Sequence, residues 1–170
     1  IYTGCQVDKQ GDEGLAKILK IKGKTGEILW EKSYKAFNKD GPSPSNGGLL
    51  GTNVVGKKEI NNLVIFTLCR TPNKNDGLMV ALDKKTGEEV WSWVMPTYAW
   101  PSAVDVYDED GKAYIIQTLR NGTICIIEGA TGKILGKTVI DSYIEASPAV
   151  FNNYMVIASR NGYIYGLELE

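Results

Sequence analysis

The chain has 170 residues, 43% of them hydrophobic and 23% charged, a balance that supports a buried core and excludes a disordered segment. With 19 basic and 20 acidic residues the net charge is −1, so no long-range field draws in nucleic acid or an anionic membrane surface, and no apolar run reaches the roughly 18–20 residues of a membrane span. Histidine is absent and Cys5, Cys69 and Cys125 stand far apart, which removes histidine-based catalysis and a CxxC zinc site from consideration.

The predicted elements are all strands. The first unit reads as Ile1–Cys5, a loop to Gly14, then 15–22 and 27–34, and lacks the opening strand of a four-stranded blade. A segment rich in Gly, Pro, Ser and Asn follows and reads as an inserted loop over 36–48. Leu63–Arg70 and Leu78–Asp83 form a hairpin with a long tip, followed by a strand over 88–94. Next come 102–106, an acidic turn at Asp108–Gly111, 113–120, an Asn121-Gly122 turn of expected type I′, 123–128 and 133–139, a complete four-stranded meander. The last unit repeats the plan at 147–151, 154–160 and 163–167, with its own turn at Asn161-Gly162. Gly77, Gly122 and Gly162 are expected to close matching hairpins. They lie 45 and then 40 residues apart, the period of propeller blades.

One phrase recurs between the third and fourth strands: Lys24-Thr25-Gly26-Glu27-Ile28-Leu29-Trp30, Lys85-Thr86-Gly87-Glu88-Glu89-Val90-Trp91 and Ala130-Thr131-Gly132-Lys133-Ile134-Leu135-Gly136. The glycine permits positive φ, the threonine hydroxyl bonds nearby backbone, and a tryptophan four residues later can wedge against the neighbouring blade. Thr25, Gly26, Trp30, Thr86, Gly87, Trp91, Thr131 and Gly132 are therefore the expected blade-docking residues, with Gly136 standing where the third tryptophan would be.

The run Ala81-Leu82-Asp83-Lys84-Lys85-Thr86-Gly87-Glu88-Glu89-Val90-Trp91 resembles the tryptophan-docking motif of PQQ-like repeat, quinoprotein-type β-propellers, Ala-x-Asp-x-x-Thr-Gly-x-x-x-Trp. The first copy departs from it at Lys20 and Lys22, the third at Ile126, Glu128 and Gly136. The resemblance covers nearly the whole chain and implies an all-β fold, a partial β-propeller of four-stranded antiparallel blades. About three and a half blades of a ring of about seven or eight are expected. Their bounds are blade 1 over 1–35, blade 2 over 49–95, blade 3 over 101–140 and blade 4 over 146–170, with self-association as one way to complete the ring. The resemblance also implies an extracytoplasmic protein, periplasmic, secreted or at the cell surface.

Quinoprotein dehydrogenases share this repeat and hold a quinone and calcium near the axis beside a vicinal cysteine pair. No adjacent cysteines exist here, and no acidic residue aligns with a calcium ligand or base. The expectation is therefore a non-catalytic scaffold without cofactor or metal, binding a protein or carbohydrate, with a quinone-dependent dehydrogenase as the alternative. In a propeller, the loops after the second and fourth strands open on one face. They carry Arg70, Arg120 and Arg160, with Tyr98, Trp100, Tyr143 and Glu145, the residue types favoured as interface anchors. The competing reading packs these rings between blades and pairs the arginines with local carboxylates. Asp108–Gly111 reads as a hairpin turn and not a calcium loop, because Val106 and Gln117 stand where further oxygen ligands would be needed.

Overall fold

The computed structural model describes residues 1–7, 14–38, 46–140 and 143–169. They form four antiparallel sheets in chain order. The first contains β1 (Tyr2–Gly4), β2 (Leu15–Ile21) and β3 (Ile28–Lys35). The second contains β4 (Gly48–Leu49), β5 (Val54–Val55), β6 (Leu63–Cys69), β7 (Gly77–Asp83) and β8 (Glu89–Met95), with both β4 and β5 on the same side of β6. A meander of β9 (Val104–Tyr107), β10 (Ala113–Thr118), β11 (Thr123–Glu128) and β12 (Ile134–Val139) makes the third, and β13 (Ala149–Phe151), β14 (Tyr154–Ala158) and β15 (Ile164–Glu168) the fourth. A single 3-10 turn, Lys58–Ile60, is the only helix among the described residues. Most of the predicted loop over 36–48 lies outside the described residues, at 39–45.

The middle strands of the second and third sheets are buried on both faces, because a neighbouring sheet covers each side, whereas β2 and β14 of the first and fourth sheets bury only alternate residues. β6 is buried at every position, whereas the outer strand β8 buries only Trp91 and Met95. Three cores result. Ile18 and Trp30 of the first sheet meet Val64, Phe66, Val80 and Leu82 of the second. From the second sheet's other side, Ile65, Met79 and Trp91 meet Ile115, Cys125 and Ile127 of the third. Ile116 and Ile124 then meet Met155 and Ile157 of the fourth. Among the described residues nothing covers the far side of the fourth sheet: Phe151, Tyr154, Val156 and Ile164 are 78%, 56%, 48% and 76% exposed.

The recurrent phrase is a joint with two halves. Gly26, Gly87 and Gly132 all adopt φ of 74–75°, a left-handed conformation that glycine takes without strain. The register of the third and fourth strands slips just before each corner, at Lys20/Ile21, Ala81/Leu82 and Ile126/Ile127, a bulge that turns the strand toward its neighbour. Trp30 lays its indole on Gly87 of the next sheet, where an added Cβ would come within 2.9 Å of the ring, and donates Nε1–H to the Lys84 carbonyl at 3.2 Å. Trp91 does the same one sheet further on, against Gly132 at 2.6 Å and the Gly129 carbonyl at 3.0 Å. Gly26 has nothing within 4 Å of such a Cβ, and neither has Gly136. The threonines tie the corners: Thr86 Oγ1 bonds the Asp83 carboxylate and accepts from Glu88 N, Thr131 Oγ1 pairs with Glu128, and Thr25 Oγ1 accepts from Glu27 N.

Two expectations about turns are corrected. The Asn-Gly turns are not type I′: Gly122 and Gly162 have φ of 87° and 84°, but Asn121 and Asn161 do not have positive φ. Leu119 N bonds Thr123 O while Gly122 N bonds Leu119 O, so three residues span the tip and a single left-handed glycine suffices. Gly77 does not close its hairpin either. It starts β7 with ordinary φ, and its lack of a side chain admits Met95 Cε and Tyr98 Cα, 2.5 and 3.1 Å from where a Cβ would sit. Asp108–Gly111 is a hairpin turn, with Gly111 N bonded to Asp108 O and Lys112 N to the Asp108 carboxylate.

Candidate partner-binding face

Arg70, Arg120 and Arg160 each follow the second strand of a blade, β6, β10 and β14. Tyr98 and Trp100 lie on the link from β8 to β9, and Tyr143 and Glu145 on the link from β12 to β13. Backbone hydrogen bonds stitch these links to the hairpins. Arg120 N donates to Tyr98 O and Ile144 N to Arg120 O, both at 3.3 Å, while Arg160 N donates to Tyr143 O at 3.1 Å. One blade's link is thus held beside the next blade's arginine. Arg70 and Tyr143 adopt φ of 46° and 60°, a conformation that L-residues rarely take.

The side chains interleave. The Arg70 guanidinium lies 4.8 Å from the Tyr98 ring centre and 5.7 Å from that of Trp100. Arg120 lies 5.3 Å from Tyr98 and 4.6 Å from Tyr143. Tyr98 and Trp100 also touch, 5.7 Å apart at 37°. The order along the face is Trp100, Arg70, Tyr98, Arg120, Tyr143, with each cation–π contact contributing about 0.5–2 kcal/mol depending on its exposure. Arg160 differs: its Nη1 pairs with Glu145 at 3.1 Å. That pair is largely solvent-facing on the arginine side and adds little to stability.

The competing reading therefore holds for part of the set. Tyr98 is buried, at 7% exposure, and Arg160 has a carboxylate partner, but Tyr143 is 44% exposed and Arg70 and Arg120 have no carboxylate partner among the described residues. Arg70 Nε, Arg120 Nε and Trp100 Nε1 are all buried without a hydrogen-bond partner. Each such donor costs about 1–3 kcal/mol, and a guanidinium cannot shed its charge to escape the penalty.

The remaining chemistry is quiet. Burial pushes the Cys69 thiol up to about 11 and raises that of Cys125, so neither forms a nucleophilic thiolate at neutral pH. Among the described residues no three His, Cys, Asp or Glu cluster closely enough to hold a metal ion, and Cys69 and Cys125 lie on different blades, so the calcium and cysteine-pair setting of a quinone site does not fit the residues present. Several partners were missed in the sequence, most of them without a local signal. The carbonyls of Lys84 and Gly129 receive the indoles, and a relay of Thr52 N to Ser102 Oγ (2.8 Å) and Ser102 N to Ser147 Oγ (2.9 Å) links the openings of successive blades. The relay's trace is the serine before each opening strand, in Ser102-Ala103-Val104 and Ser147-Pro148-Ala149-Val150.

A sequence model described as outer membrane protein assembly factor BamB matches residues 12–142 and 74–170. The assembly factor BamB of Kangiella koreensis is 31% identical over 93 residues, 54% of this chain and 23% of that protein. The crystal structure of BamB from Moraxella catarrhalis superposes with a TM-score of 0.59 at 14% identity, over 99% of this chain and 48% of its own. The quinohemoprotein alcohol dehydrogenase of Comamonas testosteroni superposes at 0.50 and 13% identity, over 90% of this chain and 28% of its own. This chain thus spans about a quarter of the curated relative and about half of the crystallised one.

Proposed function

The chain belongs to the PQQ-like repeat propeller family of the assembly factor BamB, and from that premise we propose that it is a non-catalytic scaffold that binds a protein in the assembly of the outer membrane, on the periplasmic side. The partner meets the face built by Arg70, Tyr98, Trp100, Arg120 and Tyr143. One observation carries this reading: half-buried arginines alternate with aromatic rings and retain unpaired donors, the composition and chemistry of an interface that still lacks its other half. Guanidinium groups already lie over the rings of Tyr98 and Tyr143, where a sugar would stack, which favours protein over carbohydrate. The raised thiols and the scattered acidic groups support a scaffold over the dehydrogenase alternative.

The test is a photo-crosslinking residue placed in cells at Tyr143 or Trp100, with Lys137 on the outer strand β12 as comparator. Crosslinks from the first two positions to a protein of outer-membrane assembly, and none from Lys137, are expected. Equal yield from all three positions, or none from the face, defeats the reading. Dye-linked alcohol oxidation after addition of quinone and calcium is expected to stay at background, and turnover revives the dehydrogenase.

A further inference from the structure

We infer that Arg70 and Arg120 form a two-guanidinium receptor for carboxylates of an acidic segment in the protein partner. The inference rests on the proposed face and adds the chemistry of what binds there. The two guanidiniums share one tyrosine, lying 4.8 and 5.3 Å from the Tyr98 ring centre, and their further contacts are with Trp100 and Tyr143. Aromatic faces orient a guanidinium but cannot neutralise it or accept its in-plane N–H bonds. Neither arginine has a carboxylate among the described residues, and the Nε of each is buried without an acceptor, as is Trp100 Nε1. Three donors are thus buried with no hydrogen-bond partner among the described residues, and the two charges have no counterion there. A planar carboxylate is the group whose two oxygens match the N–H fork of guanidinium.

Arg160 supplies an internal reference. It occupies the matching place on the next blade, and there the chain provides the carboxylate itself, Glu145 at 3.1 Å. Arg160 is paired with an acid of its own chain, and the arginines of the two preceding blades have none among the described residues. A balanced net charge of −1 gives no broad field for a polyanion, so recognition depends on these two local charges and favours a peptide carrying a few acids over nucleic acid.

The experiment is calorimetric titration of the full chain with a capped hexapeptide of alternating Asp and Glu, its Asn and Gln analogue, and inorganic triphosphate. The acidic peptide is expected to bind at least about tenfold more tightly than its amide analogue and to weaken with salt. Arg70→Gln and Arg120→Gln are each expected to lose about tenfold, and the pair to abolish the preference, while Arg160→Gln changes it less than about threefold. Near-ultraviolet circular dichroism checks that the variants remain folded. If they do not, Arg70→Lys and Arg120→Lys, which keep the charge but lose the fork, are expected to weaken binding while preserving the fold. No preference of the native chain for acid over amide overturns the inference, as does an equal loss in Arg160→Gln. Tighter binding of triphosphate than of the peptide reassigns the site to phosphate. Crosslinking of a protein at Tyr143 together with no acidic preference leaves the face standing and removes this inference alone.

Discussion

At each tryptophan the joint combines apolar contact with one directed hydrogen bond. Trp91 is 8% exposed and donates to the Gly129 carbonyl, so Trp91→Ala removes a large buried ring and orphans that acceptor. A loss of about 3–5 kcal/mol is expected in denaturant titration. The glycine half can be separated from strain. Gly26 and Gly132 have the same φ to within a degree, but only Gly132 lies under an indole. Gly26→Ala should therefore cost about 1–2 kcal/mol from its left-handed backbone alone, and Gly132→Ala about 1–3 kcal/mol more from the displaced ring. Equal midpoints for the two variants would show that the glycine serves the turn only. Asp83 is the corner's electrostatic anchor: its carboxylate accepts from Thr86 N, Lys85 N and Thr86 Oγ1, and the Thr86 backbone bond foremost holds it below the usual carboxylate range. A lowered folded pKa stabilises above the unfolded value of about 3.9 and ceases to do so as pH falls through the folded one. Asp83→Asn should thus lower the unfolding midpoint at pH 7, and the gap should close under acid.

Between elements, the seams combine shape with polar crossings, and one of these joins two buried side chains. Thr67 Oγ1 on β6 donates to Gln117 Oε1 on β10 at 2.9 Å, and Gln117 Nε2 reaches the Pro101 and Thr118 carbonyls, all in the buried core. Thr67→Val leaves the amide oxygen unsatisfied and should cost about 1–3 kcal/mol by thermal or chemical unfolding, largely recovered in Thr67→Ser. Nothing near Thr67 or Gln117 in the sequence announces this bond, because it joins residues 50 apart that only stacking brings together. Strands, by contrast, were legible wherever a period or a turn residue marked them, as in the meander over β9–β12. The class of the Asn121-Gly122 turn was not, since it depends on how many residues separate the last paired positions, and register is a property of two strands at once. Gly77 misled for a related reason: its glycine serves a close approach by Met95 and Tyr98, not a backbone angle. The arginine column was visible from residue type and spacing. Which members lack an acid was not, because Glu145 reaches Arg160 across a fold.

For the molecule as a whole, the exposed side of the last sheet sets its behaviour in solution. Phe151, Tyr154, Val156 and Ile164 share one face through the pairings Phe151 to Tyr154, Val156 to Gly166 and Ala158 to Ile164, with Glu168 opposite Tyr154 as the charged residue beside them. Faces of this kind associate. The isolated chain is expected to sediment with a mass that grows with concentration, and Phe151→Lys with Ile164→Lys should hold it as a monomer. A concentration-independent mass for the native chain would show that this surface tolerates water.

The indole joint runs in one direction at both places where it occurs, from the first blade to the corner of the second and from the second to the corner of the third, with the same parts each time. An identical fastener carries no address. It can say that a blade must follow, but not which one, so the order of the blades is held by covalent connection and by unique crossings such as Thr67 with Gln117. Such a chain can lengthen by copying a unit without inventing a new contact, and the unit bearing Gly136 carries the phrase without its fastener.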